Sequence, residues 1–481
     1  MRARSDSVTA VPRARRRDDS ARSPALIVVG RADQPALSAA ERVIPFGPEL
    51  LIGRHPPRPG EHPGAAWVVA DRLVSGQHAV IRQVGRDWEI TDLDSTNGTV
   101  VDGMVAQPKL KLREGSLIFV GGAAAVFRLV SATDLENIRR ELGQPIGPVP
   151  TCNPEFAGVC ARLGRLADSD FELLLVGETG VGKEVYAHAI HRASRRPGRF
   201  VAVNCAALPR ELVESELFGY VRGAHSQASA AKPGIIEDAE GGTLFLDEIG
   251  EMAPDLQPKL LRFVQDRMLT PVGGTRPRHV DVRLLAATSR TVTPPTPDAP
   301  GLRGDLAARL GAEPIRIPPL RERREDLGAL AGHFLHGHAK PFELSAFQAL
   351  CLHPWRGNVR ELQKVLTTAL PLSRDQDRVA MEHLPSGLAA GAGSMRRAPR
   401  APGGRSDRRA APTATELEEL MRRSGGNMMQ VARALDRKPA VIYRWAKRFK
   451  LDVEAYRASR EARGAFPTSE SHEPPTDAND S

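Results

Sequence analysis

The stretch from Phe171 to Glu184, FELLLVGETGVGKE, constrains the chain more than any other. Its apolar run Leu173–Val176 reads as a buried strand. Gly177, Gly180 and Gly182 follow at once, then Lys183, then helical apolar spacing at Val185, Ala189 and Ile190. Strand, glycine loop and helix in that order are the context of a phosphate-binding loop. The loop Gly177, Glu178, Thr179, Gly180, Val181, Gly182 would turn backbone N–H groups onto phosphate oxygens. The new helix would add its positive end, and Lys183 would reach the β- and γ-phosphates of ATP. The strict pattern has Ser or Thr after the lysine, whereas Glu184 stands here. On the loop alone, an ordinary glycine-rich strand–helix turn would look the same.

A second stretch narrows the choice. Gly241 to Glu248, GGTLFLDE, is another apolar strand, and it ends in two carboxylates. Asp247 is placed to hold Mg²⁺, directly or through water. Glu248 is placed to orient and deprotonate an attacking water. Together the two stretches imply hydrolysis of a nucleoside triphosphate.

Length allows two to four domains in 481 residues. A net charge of +9 suggests a polyanionic partner. Cys152, Cys160, Cys205 and Cys351 show neither metal-ligand spacing nor a disulfide framework, which fits a reducing, cytoplasmic setting. No apolar run approaches the ~20 residues that span a bilayer, and the arginine-rich start has no apolar signal segment after it, so no membrane partner is expected.

Residues 1–24 are polar and read as a disordered basic tail. Residues 25–132 carry short apolar runs separated by Gly, Pro and Asp turns, the spacing of an all-β sandwich. Gly53-Arg54, Ser75-Gly76-Gln77-His78 and Thr96-Asn97-Gly98-Thr99 mark its turns. Together they resemble the forkhead-associated (FHA) domain. The resemblance implies a phosphothreonine-protein partner, with Arg54 and Ser75 on the phosphate and Thr96 beside them. Asn97 would bond the peptide backbone, and His78 would brace the loops. Gly76 stands where that family often has a basic residue.

Residues 133–148 read as a helix and then a linker. From there β and α patterns alternate: the loop unit, strand 200–204, a polar segment through Glu237, the acidic strand, a helix with Leu256, Leu260, Leu261 and Val264 on one face, and strand 280–288. That order predicts a parallel, doubly wound sheet. The loop, VNCAAL, ELFG, GGTLFLDEIG, PPLRERREDL and WRGNVREL resemble the AAA+ domain of bacterial sigma-54 activators, also called enhancer-binding proteins, over 149–388. The resemblance explains Glu184, which that family usually has. It implies that Asn204 switches the catalytic Glu248. It implies that Arg303 and Arg309 reach a neighbour's nucleotide in a ring, most simply a hexamer, and that Arg360 is the sensor arginine of a helical lid. Three departures stand out. Gly223, Ala224, His225, Ser226, Gln227 and Ala228 replace the family's Gly-Ala-Phe-Thr-Gly-Ala, the loop that grips sigma-54. Ser289 replaces an asparagine, and segment 291–301 is proline-rich.

Residues 389–412 read as a basic linker, and 454–481 as a disordered tail. Residues 413–453 read as three short helices, broken at Gly425-Gly426 and again between Asp436 and Pro439. The third puts Val441, Ile442 and Trp445 inward and Arg444, Lys447 and Arg448 outward. This helix-turn-helix resembles the Fis-type domain that ends sigma-54 activators, and implies paired subunits on DNA upstream of promoters. The expected architecture is therefore multi-domain: an all-β FHA sandwich, an α/β AAA+ P-loop ATPase with a helical lid, and a small all-α helix-turn-helix. The expected activity is ATP-dependent control of sigma-54 RNA polymerase. The alternative is a DNA- and phosphopeptide-binding regulator that no longer engages sigma-54, with ATP governing assembly only.

Overall fold

The computed structural model describes residues 22–56, 64–106, 108–207, 209, 212–224, 228, 230–289, 301–311, 313–335, 340–388, 396–397 and 412–424, with single positions up to 451. The chain divides into two units, Met1–Pro399 and Arg400–Ser481. Among the described residues no helix is long and apolar enough to cross a membrane.

The N-terminal part of the first unit is a β-sandwich. One sheet runs Ala65–Val68, Glu49–Gly53, Ala79–Val84, Asp87–Asp92, Lys109–Leu112. The other includes Met104–Val105, Thr99–Val101, Leu117–Val120, Ala123–Val130, Ser23–Arg31 and Val43–Pro45. The inner faces meet in a core that contains Leu26, Ile52, Ile81, Trp88, Ile118 and Phe127. Trp88 packs edge-on against Phe46, with ring centroids 5.6 Å apart. Strands Val43–Pro45, Thr99–Val101, Met104–Val105 and Lys109–Leu112 had no distinct apolar run to announce them. Lys109 and Lys111 point outward there and pair across the strands with Glu89 and Asp87.

The region 133–148 carries helix Ala132–Gly143, capped by Ser131 and Asp134. Ile138 joins Ile27, Cys152 and Ala157 in a small core, so this joint is packed on both of its neighbours.

The α/β sheet has the order Phe200–Asn204, Thr243–Asp247, Arg283–Thr288, Leu173–Val176, Ile315–Arg316, with every pair parallel. Alternate residues go to opposite faces, as a pleated strand requires. Leu174, Leu244, Leu246, Leu284 and Ala286 enter one core; Leu173, Leu175, Phe245, Leu285 and Ala287 enter the other. Helices cover both faces, which makes the sheet doubly wound. The segment before Glu237, polar on average, still supplies Val213, Leu217, Phe218 and Ile236 to the first core through helices Val213–Phe218 and Ile235–Asp238.

The lid is formed by helices Leu327–Phe334, Leu344–Leu352 and Asn358–Leu372. Its core is continuous with the outer face of the sandwich. Val29, Ala32, Val100, Leu117, Phe119, Ala124 and Val126 share one cluster with Leu330, Phe342, Leu350 and Trp355. One ion pair and two hydrogen bonds to backbone seal the joint: Arg128 donates to the Glu325 carboxylate at 2.5 Å and to the Glu322 carbonyl at 3.0 Å, and Arg42 donates to the Glu325 carbonyl at 2.8 Å.

The second unit contains helix Ala414–Arg423, whose N-cap Thr413 and Glu416 form a capping box. Leu417, Met421, Val431, Ala432, Ile442 and Ala446 make its core, with Trp445 packed against them.

Candidate functional site

The apolar strand Leu173–Val176 delivers the glycine loop to the carboxyl edge of the parallel sheet, where ligands of open α/β sheets bind. Gly180 and Gly182 take φ of +82° and +104°, values that side chains resist. Helix Lys183–Ser194 starts directly after them. Lys183 is only 6% exposed. Its ammonium donates to the Gly177 carbonyl at 3.0 Å and to Glu248 Oε1 at 3.2 Å.

Strand Thr243–Asp247 brings the two acids to the same edge. Glu248 has φ +51°, left-handed for a residue with a side chain. Its other oxygen accepts from Ser289 N at 2.9 Å and Ser289 Oγ at 2.8 Å. Burial opposes ionisation of Glu248, but these bonds and Lys183 outweigh it and hold the carboxyl below its ordinary range. Asp247 is raised, first by burial and then by the Glu248 charge. Asn204 lines the same cavity, but its side-chain oxygen accepts from Ala206 N at 2.9 Å; Lys183 and Ser289, rather than Asn204, hold Glu248 here.

The cavity is about 660 Å³ and is lined by the loop, Asp247, Glu248, Asn204, Ser289 and Arg360. Glu184 also lines it. Among the described residues no cluster of three or more His, Cys, Asp or Glu side chains is arranged as a metal cage. Asp247 nevertheless offers hard carboxylate oxygens beside the loop. That suits Mg²⁺, which takes one or two carboxylates and completes its shell with phosphate oxygens and water.

Three residues of the site carry no distinct signal in the sequence. Arg321 pairs through both nitrogens with Glu178, Arg323 donates to the Val181 carbonyl at 2.8 Å, and Asn358 bonds the loop from the lid. All three fall inside PPLRERREDL and WRGNVREL, motifs that marked the region without assigning these side chains a task.

The expected finger residues sit at helix Gly304–Leu310. Arg303 forks onto Asp305, at 3.1 and 2.9 Å, and Arg309 is exposed. Of the loop 223–228, Gly223, Ala224 and Ala228 are described. Gly223 N donates to the Ala228 carbonyl at 2.9 Å, closing the base of the loop. His225, Ser226 and Gln227 lie outside the described residues, as do Arg444, Lys447 and Arg448.

At the end of the sandwich, Arg54 is exposed, and its backbone N–H bonds the Ser75 carbonyl at 2.9 Å. Ser75 Oγ stands 3.4 Å from Thr96 Oγ1 and accepts from Thr96 N at 3.1 Å. Asn97 donates to the Leu73 carbonyl at 2.7 Å, a bond between the two loops. His78 is fully buried, and burial lowers its pKa. Neutral, its Nδ1 accepts from Ser75 N at 3.1 Å, leaving Nε2–H to donate to the Gly98 carbonyl at 3.2 Å. One imidazole thus ties the two loops that present the hydroxyls.

Comparison with known proteins places the chain in a family. Residues 150–316 match the Sigma-54 interaction domain, residues 321–400 the AAA+ ATPase lid domain, and residues 50–121 the FHA domain. Nitric oxide reductase transcription regulator NorR1 of Cupriavidus necator is 38% identical over 420 residues, covering 81% of this chain and 80% of that protein. NorR2 of the same organism is 42% identical over 319 residues, covering 61% of each. The anaerobic nitric oxide reductase transcription regulator NorR of Aeromonas hydrophila is 38% identical over 380 residues, 73% of this chain and 74% of that protein. The chain belongs to the family of sigma-54-dependent transcriptional regulators, with an FHA domain ahead of its AAA+ ATPase-family domain and lid.

Proposed function

We propose that the protein hydrolyses ATP to remodel sigma-54 RNA polymerase holoenzyme, reads a phosphothreonine signal through its FHA loops, and binds promoter-upstream DNA through residues 413–453. The convergence of Lys183, Asp247, Glu248 and Arg360 on one cavity supports the enzymatic part most directly. Asp247 would hold Mg²⁺, which neutralises phosphate charge. Lys183 would exchange Glu248 for the β- and γ-phosphates. Glu248, freed on one side, would take a proton from the water that attacks the γ-phosphorus as ADP leaves. Arg303 and Arg309 of an adjoining copy in a hexameric ring would stabilise the transferring group. At the sandwich, Arg54 with Ser75 and Thr96 offers a guanidinium and two hydroxyls to a dianionic phosphate. The basic composition fits DNA, and paired subunits would read inverted half-sites.

The loop GAHSQA favours a second reading, in which nucleotide governs assembly and sigma-54 is not engaged. One experiment tests both: phosphate release and open-complex formation by sigma-54 holoenzyme, on the same preparations. Lys183→Ala should bind no nucleotide, and Glu248→Gln should bind ATP without turnover. Turnover by Glu248→Gln at the parent rate would refute the assigned base. The triple change His225→Phe, Ser226→Thr, Gln227→Gly should raise open-complex formation at constant ATPase rate. Strong activation by the unchanged protein would remove the second reading.

A further inference from the structure

Asn358 opens the last lid helix, Asn358–Leu372, and is fully buried. Its φ of +57° belongs to the left-handed region, which asparagine tolerates better than most residues with side chains. Its carboxamide ties the helix to two other parts of the chain. The oxygen accepts from Leu320 N at 2.9 Å, in the segment between sheet and lid. The nitrogen donates to Glu178 Oε2 at 3.1 Å and to the Thr179 carbonyl at 3.0 Å, both in the phosphate loop. An amide nitrogen has two hydrogens, so both are used.

The neighbours of Asn358 reinforce the same junction. Glu178, an anion in a loop built for anions, is neutralised by Arg321, which grips both of its oxygens. Arg360 N donates to the Gly180 carbonyl at 3.2 Å. A Cβ at Gly180 would meet the Gly357 carbonyl at 2.4 Å, so loop and lid touch backbone to backbone. Arg360 follows Asn358 by two positions in the same first turn, and its side chain lines the cavity.

We propose that Asn358 is a positioning residue that latches the lid to the phosphate loop and thereby fixes where Arg360 meets the terminal phosphate of the nucleotide. The proposal rests on the nucleotide-site reading above. Only an amide fits this task. An aspartate of the same shape would set a carboxylate against the Glu178 carboxylate and the Thr179 carbonyl. A leucine would leave Leu320 N and the Thr179 carbonyl unpaired. If the latch aims Arg360, losing it weakens ATP more than ADP, because only ATP carries the phosphate that Arg360 meets.

The test is equilibrium binding of ADP and of a non-hydrolysable ATP analogue, standing for ATP, to the full chain, by displacement of a fluorescent nucleotide, with a melting curve for each variant. Asn358→Gly relieves the backbone strain and removes the carboxamide together with its Cβ. It should cost roughly 10- to 100-fold in ATP affinity, the range a hydrogen bond to a charged group spans, and much less for ADP. Asn358→Asp should lose at least as much. Glu178→Ala, whose side chain is 42% exposed and so safe to remove, should lower the ATP-to-ADP ratio in the same direction. The double variant should be no worse than the poorer single one, because both cut the same latch. An unchanged ratio in Asn358→Gly and Glu178→Ala, or strict additivity in the double variant, would overturn the latch while leaving the nucleotide site standing. A parent protein that binds neither nucleotide would overturn both.

Discussion

Two glycines in two helices should respond oppositely to the same substitution. Gly328 lies in helix Leu327–Phe334, against the sandwich. A Cβ built there would stand 2.0 Å from the Val29 carbonyl oxygen and 2.2 Å from that of Pro35. Both are backbone atoms, and Val29 sits at a register shift in strand Ser23–Arg31, where pairing with Ala123–Val130 skips a residue. Ordinary contact begins near 3.4 Å, so Gly328→Ala must open the joint by more than an ångström. Overpacking of this kind costs about 1–3 kcal/mol. The entropy gained on replacing glycine returns about 0.4–1 kcal/mol. The net expectation is a loss on the order of 1–2 kcal/mol. Gly164, in helix Pro154–Ala167, is exposed with nothing within 4 Å of its Cβ position. Gly164→Ala should therefore stabilise by about 0.4–1 kcal/mol. Urea unfolding of the full chain reads both, as midpoint shifts of opposite sign at unchanged slope. A Gly328→Ala protein as stable as its parent would refute the reasoning, since the sandwich would then not be held against the lid in solution.

Two further outcomes follow from the electrostatics. Glu141 is buried at the joint and its pKa is pushed up to about 7, by burial first, with the Asp326 charge adding to it. Between its ordinary value and 7 the folded state holds a proton that the unfolded chain has released, so this group makes stability fall as pH rises through that window. Glu141→Gln should accordingly stabilise at pH 8 and be close to neutral near pH 4, in melts of the full chain; equal effects at both would contradict the shift. At the FHA loops, Arg54→Ala and Ser75→Ala should each cost roughly 1.5–3 kcal/mol in phosphothreonine-peptide binding, measured by calorimetry against a peptide selected on the full chain. Unphosphorylated peptide binding as well as the phosphorylated form would remove the phosphate role from these side chains.

The sequence showed some layers of this molecule clearly and others poorly, for physical reasons. The strand–loop–helix around Lys183 and the acidic strand at Asp247 are local, and local pattern was enough to find them. Strands such as Asp87–Asp92, with Trp88 and Ile90 turned inward, alternate and read directly. Lys109–Leu112 alternates too, but it is short and half charged, so it hides among turns. What could not be read was distance. Glu178 and Asn358 are 180 residues apart, and no spacing rule joins them. The assignment of Asn204 to Glu248 came from resemblance, and the Ser289 bonds depend on where strand Arg283–Thr288 ends. Two strands carry a further signal. Leu117–Val120 is apolar at every position, and Ala123–Val130 nearly so. A sandwich strand with one wet face alternates; these strands are covered on both faces.

That double covering changes how the protein can be taken apart. Cut after residue 132, the sandwich would present Val29, Val100, Leu117, Phe119, Ala124 and Val126 to water as one sheet face. An apolar patch of that kind recruits other copies. The part that can be transplanted or assayed is therefore the sandwich together with its lid and the sheet below. A fusion that borrows the FHA loops alone would carry an adhesive surface with them. Substitutions on that face are likewise tied in pairs, since a change at Phe119 or Val126 has its compensation more than 200 residues downstream, in the lid.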